Sequence, residues 1–157
     1  GVRLRFCTTP LDGPAVLDGL KHLNRLPQVL ARAEWNDTEI HEGLMRDMQG
    51  RVIEGTMSNI FIARHATLAT PPIAAGVRGV MRRFVLEQAA TLGIAVQERF
   101  FTDDEISSAD EIFITNSVIG VCPVVRIGSQ PYRIGTITRQ LQSAVDTEQE
   151  LRACPAN

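Results

Sequence analysis

Between residues 39 and 70 the chain places four strand-like runs so close together that no helix fits between them. In residues 39–46, Ile40, Glu42 and Leu44 alternate with His41, Gly43 and Met45, the period-two pattern of a pleated strand. Asp47-Met48-Gln49-Gly50 has turn chemistry. Residues 51–56, 58–64 and 67–70 follow as further runs, the last after a two-residue turn at His65-Ala66. A parallel neighbour would need a crossover of a dozen or more residues. Connections this short therefore predict an antiparallel meander and an α+β domain built on a sheet.

The rest of the chain adds strands and helices around that sheet. Val2, Leu4 and Phe6 share one face of a first strand, with Arg3 and Arg5 on the other. Residues 8–14 read as a turn. After a loop with two prolines and two glycines, Val80, Met81, Phe84, Val85, Gln88 and Leu92 recur at helical spacing, and Gly93 is suited to stop that helix. Residues 94–100 return as a strand. Thr102 with Glu105 three positions on forms a capping box that opens a short helix to about Ser108. Strands at 111–115 and 121–127 follow, and residues 132–134 are placed to pair with the second of them. A final helix runs over residues 136–152, with Ile137, Leu141, Ala144, Val145 and Leu151 inward.

A chain of 157 residues is long enough for one domain with a real core, and 44% hydrophobic with 22% charged residues marks a globular chain. A net charge of -2 without any Lys/Arg block argues against nucleic acid as a partner. No apolar run is long enough to span a membrane, and the start has no secretory pattern. Cys7, Cys122 and Cys154 are far apart and odd in number, so they suggest neither a metal site nor a disulfide framework; a reducing cytoplasm is the expected setting. The chain opens directly on a strand and without Met, so either a tag was removed or this is the C-terminal part of something longer.

Four places carry candidate chemistry. In Gly19-Leu20-Lys21-His22-Leu23-Asn24-Arg25-Leu26 a lysine stands where a helix is predicted to begin. Leu23, Leu26, Leu30 and Ala33 form its apolar stripe, and Lys21, Arg25, Gln28 and Arg32 a polar one. The positive end of a helix dipole disfavours an ammonium and favours an amine nucleophile there. A solvated surface lysine is the competing reading. Glu54, between Ile53 and Gly55 in a strand-like run, needs a partner, a function or water. The turn Gly76-Val77-Arg78-Gly79 before a helix is a ready anion site or an ordinary helix entry. Thr115-Asn116-Ser117, at the end of a buried-type strand, offers short polar groups to an anion or satisfies only itself. An amine, a carboxylate and two anion-binding turns together match what pyridoxal 5'-phosphate requires.

The stretches "GLKHLNRLPQVLAR", "VIEGTMSNIF", "TPPIAAGVRGVMRRF" and "FITNSVIGVCPV", in this order over essentially the whole chain, resemble the C-terminal domain of the fold-type IV pyridoxal-phosphate enzymes. Within that family the chain is most similar to the aminodeoxychorismate lyases, with branched-chain and D-amino-acid aminotransferases as the alternative. The resemblance implies a largely antiparallel sheet or barrel flanked by helices. It makes Lys21 the Schiff-base lysine and general base/acid, and pairs Glu54 with the pyridine nitrogen. It assigns the phosphate to the amides of Val77 and Arg78 and to Asn116 with Ser117, and turns Arg25 toward the cofactor. It also implies a homodimer and an N-terminal domain that this chain lacks, so the piece holds only part of the pocket.

Overall fold

A computed structural model describes residues 1–73 and 76–153. Ala74, Ala75, Cys154 and the side chain of Leu151, expected above on the inner side of the last helix, lie outside the described residues. The elements in order are β1 (Val2–Phe6), a 3-10 turn (Ala15–Leu17), α1 (Leu26–Arg32), β2 (Glu42–Arg46), β3 (Val52–Gly55), β4 (Asn59–Arg64), β5 (Thr67–Thr70), α2 (Val80–Thr91), β6 (Ala95–Glu98), α3 (Asp103–Ser107), β7 (Glu111–Asn116), β8 (Gly120–Ile127), β9 (Gln130–Pro131) and α4 (Thr136–Ala153).

One sheet runs β3-β2-β1-β8-β7-β4-β5-β6, with β9 paired to β8. Most pairings are antiparallel, but β1 is parallel to both β2 and β8, and β5 is parallel to β6 across the α2 crossover. The expected meander holds for β2–β3 and for β4–β5 but breaks between β3 and β4. Those two strands lie far apart in sheet order. The sheet curls until Gly55 N donates to Ser58 O across the gap, leaving the domain a half-barrel.

Strand alternation divides the core. Leu4, Leu44, Val52, Ile60, Ile62, Ile112, Ile114 and Val124 fill one cluster, while Phe61, Ala63 and Phe113 point the other way onto Val85 and Ala89 of α2 and Leu141 and Val145 of α4. The Phe61 and Phe113 rings stack 4.9 Å apart. A third cluster packs Met45 and Ile53 against Ala31 of α1 and Trp35. Both faces of β2–β4 are therefore buried, because helices cover what alternation alone leaves open to water.

Local signals behave as their chemistry dictates. Gly93 adopts φ +70°, Ile94 N donates to Ala89 O and Gly93 N to Ala90 O, which ends α2 in a Schellman motif. Thr102 and Glu105 exchange both bonds of the capping box. Beyond β8 the pairing segment is Gln130–Pro131, with Tyr132 N donating to Val125 O, rather than residues 132–134.

Candidate active site

A cleft of about 720 Å³ opens where β3 and β4 fail to pair. The end of β3, the 56–58 turn, the loop into α2, the end of β7 and residues 21–32 contribute its walls. That volume suits a small molecule.

Glu54 is the penultimate residue of β3, with only 3% of its surface exposed. Val77 N donates to its Oε2 at 2.8 Å and Asn59 Nδ2 at 3.2 Å. Burial pushes its carboxyl up to about 7; the Val77 amide and the charges of Arg25 and Arg82 oppose this, and the nearby charge of Glu42 adds to it. A carboxylate in this setting holds or releases a proton near neutral pH.

Lys21 lines the cleft, as expected, but not from a helix. Helix α1 begins at Leu26, and Lys21 stands beyond the first turn over which a macrodipole acts. A tether does the positioning instead. Gly19, at φ +78°, donates to Gly76 O at 2.9 Å and accepts from Arg78 N at 3.1 Å. This joins the lysine segment to the loop before α2.

The predicted stripe is inverted. Leu23 is fully exposed and Leu26, Val29 and Leu30 are mostly so, while Gln28 and Ala31 are buried. The polar set Lys21, Arg25, Gln28 and Arg32 faces the cleft. The inward face is set instead by Ala31, which packs on Met45, Ile53 and Trp35 while the polar stripe lies along the cleft. Residues 21–25 are not helical, so Arg25 does not stand one turn beyond Lys21, yet it lines the cleft beside it.

Val77, Arg78, Asn116 and Ser117 are all brought to the same cleft. Their polar groups are differently committed. The Val77 amide goes to Glu54 and the Arg78 amide to Gly19 O. Asn116 Oδ1 accepts from Val118 N and Ile119 N, and Nδ2 donates to Met57 O, so its side chain organises its own loop. The groups left facing an anion are the Arg78 side chain, Ser117 and the first turn of α2, which Gly79 opens without a side-chain cap.

The sequence did not single out Asn59, and it named Thr115 only within the strand-end triplet and Gln28 only within the polar stripe. Asn59 ties Glu54 Oε2 to Val77 O, at 3.2 and 3.0 Å. The Thr115 hydroxyl is fully buried at the cleft without a hydrogen-bond partner. Gln28 leaves a buried Oε1 unpaired there. Asn59 and Thr115 both sit inside the motif stretches, but only the fold shows where they point. Among the lining residues Lys21, Arg25, Arg32 and Arg78 are cationic and Glu54 anionic, a balance that suits an anionic ligand.

Residues 2–127 match the family model of the class IV aminotransferases. The chain belongs to that family. It is 41% identical over 152 residues to the aminodeoxychorismate lyase of Vibrio harveyi, covering 94% of this chain and 56% of that protein. The crystal structure of 4-amino-4-deoxychorismate lyase from Pseudomonas aeruginosa superimposes with a TM-score of 0.91 at 44% identity, over 94% of this chain and 55% of that one. The branched-chain aminotransferase from the thermophilic archaeon Thermoproteus uzoniensis, solved with norvaline, gives a TM-score of 0.86 at 28% identity, over 93% of this chain and 50% of that one. The chain thus spans little more than half the length of these relatives.

Proposed function

We propose that this chain is the cofactor-binding half of an aminodeoxychorismate lyase, converting 4-amino-4-deoxychorismate to 4-aminobenzoate and pyruvate with pyridoxal 5'-phosphate. The observation that carries the reading is the convergence of Lys21, Glu54 and the 115–117 strand end, remote in sequence, on one cleft. The likeness to lyases in both sequence and structure supports the choice of reaction.

The residues present fit the cofactor. Glu54 is a buried carboxylate, Lys21 an amine exposed in the cleft, and Thr115 a buried hydroxyl that lacks a protein partner. A Cβ on Gly79 would run into Asn59 Oδ1, so the loop approaches as closely as it can. When bound, the cofactor supplies a conjugated ring that accepts an electron pair from the substrate. Glu54 shares a proton with the ring nitrogen. The Arg78 side chain, Ser117, Thr115 and the first turn of α2 hold the phosphate, with Val77 and Asn116 shaping the loops around it. Lys21 Nζ would hold the cofactor, would take the proton from the substrate ring carbon that bears the amine, and would pass it to the departing enolpyruvyl group, which leaves as pyruvate. Loss of the enolpyruvyl group leaves an aromatic ring, so the reaction needs no oxidant.

Leu23, Leu26, Val29 and Leu30 are exposed apolar side chains on the segment of residues 21–32, and Val29 lines the cleft. They suit cover by an N-terminal domain and by the partner of a homodimer. No helix among the described residues is long and apolar enough to cross a membrane. Cytoplasmic residence, with Cys7 and Cys122 free, completes the proposal.

The test is to incubate the full-length protein with 4-amino-4-deoxychorismate and to assay 4-aminobenzoate and pyruvate. Equal amounts of both are expected. Lys21→Ala should abolish turnover and the visible absorption band of the bound cofactor. Transamination of a branched-chain or D-amino acid without lyase products would overturn the reaction assignment, and a band that survives Lys21→Ala would overturn the role of Lys21.

A further inference from the structure

We propose that Glu42 is a positioning residue for this cleft: it holds the 56–58 turn as a hydrogen-bond-accepting wall and, through that turn, sets Asn59 on Glu54. The proposal rests on the reading that the cleft takes pyridoxal 5'-phosphate. Glu42 opens β2 and is 3% exposed. Its Oε1 accepts from Gly43 N at 2.9 Å, Thr56 N at 3.0 Å and Thr56 Oγ1 at 2.5 Å. Its Oε2 accepts from Met57 N at 3.1 Å and Ser58 Oγ at 2.9 Å. Four of these donors belong to one turn, and none of the ion pairs among the described residues includes Glu42. The carboxylate is a template onto which the turn is folded. Gly55 permits the approach, since a Cβ there would stand 3.0 Å from Glu42 and run into Ser58 Oγ.

Two consequences follow for the cleft. The hydroxyl hydrogens of Thr56 and Ser58 are committed to Glu42, so toward a ligand these oxygens offer only lone pairs. This wall accepts from an N–H or O–H and repels an anion. The anionic parts of cofactor and substrate are directed to Lys21, Arg25, Arg32 and Arg78 on the other walls. The turn also runs straight into Asn59, whose amide spans Glu54 Oε2 and Val77 O. A shift of the turn therefore reaches both the carboxylate and the loop before α2.

The test uses the full-length protein and measures its affinity for pyridoxal 5'-phosphate by absorbance titration on both sides of neutral pH. The charged groups acting on Glu54 are Glu42 of β2, Arg25 ahead of α1 and Arg82 of α2, with Lys21 and Arg78 lining the same cleft. Glu42→Gln is expected to weaken binding about tenfold, through lost charge-assisted hydrogen bonds. It should also move the pH midpoint of binding downward, because a like charge beside Glu54 is gone. The Thr56→Val, Ser58→Ala double variant keeps the charge; it should weaken binding and leave the midpoint in place. If Glu42→Gln does not fold, the double variant carries the test. Unchanged affinity in the double variant overturns the proposal. So does a Glu42→Gln protein that melts earlier with affinity and midpoint unaltered. Failure of the wild-type protein to bind the cofactor overturns the cofactor reading, and this proposal with it.

Discussion

Replacing Glu54 by Gln in the cofactor-free full-length protein is expected to raise its stability at about pH 8 by about 3 kcal/mol and to change it little near pH 4. The carboxyl lies at 3% exposure, and burial raises it from an ordinary 4.5 to about 7. The native state then binds more protons than the unfolded chain between those two values. Stability contributed by the protonated form is complete below the unfolded value and is lost as pH rises through the window to about 7. Each pH unit of that window corresponds to about 1.36 kcal/mol, which sets the size of the loss. Glutamine keeps the shape, and its carbonyl can still accept from Val77 N and Asn59 Nδ2, but it never ionises. Urea unfolding at a series of pH values, with midpoints compared at constant slope, reads the effect directly. The two stability curves should diverge as pH rises. Curves that stay parallel would refute the burial argument, since a solvated carboxylate titrates alike in folded and unfolded protein. The same substitution removes the group assigned to the ring nitrogen, so stability and turnover should move in opposite directions.

Thr115→Val should leave the stability of the cofactor-free protein unchanged or slightly higher, because it removes a buried hydroxyl without a partner, while weakening cofactor binding about tenfold; melting and absorbance titration check both halves. Two glycines should part company in thermal melts. Gly43→Ala forces a Cβ into Cys7 Sγ and to within 2.8 Å of the Trp35 ring, costing about 3 kcal/mol or more. Gly93→Ala meets open space and bears only the strain of φ +70°, about 1 kcal/mol.

Much of this protein is written in short-range chemistry. The strands and the longer helices follow from two- and near-four-residue periodicity. The end of α2 and the start of α3 follow from Gly93 and from Thr102 with Glu105, because their hydrogen bonds close within a few residues. Lys21, Glu54 and the two loops were also recognisable, since amine, carboxylate and anion-binding turns have few common purposes.

The tertiary structure decided which neighbours those pieces meet. Strand pairing depends on contacts between distant residues, so the parallel partners of β1 and the gap between β3 and β4 were not legible locally. That gap is what makes the cleft. The direction of α1 could not be read from its stripe, because which side turns inward was decided by the packing of Ala31 on Met45, Ile53 and Trp35, residues it meets only in the fold. Glu42 looked like any alternating strand residue. Only folding brings the 56–58 turn onto its carboxylate, and only the loss of water there turns Glu54 from an ordinary acid into one that titrates near neutrality.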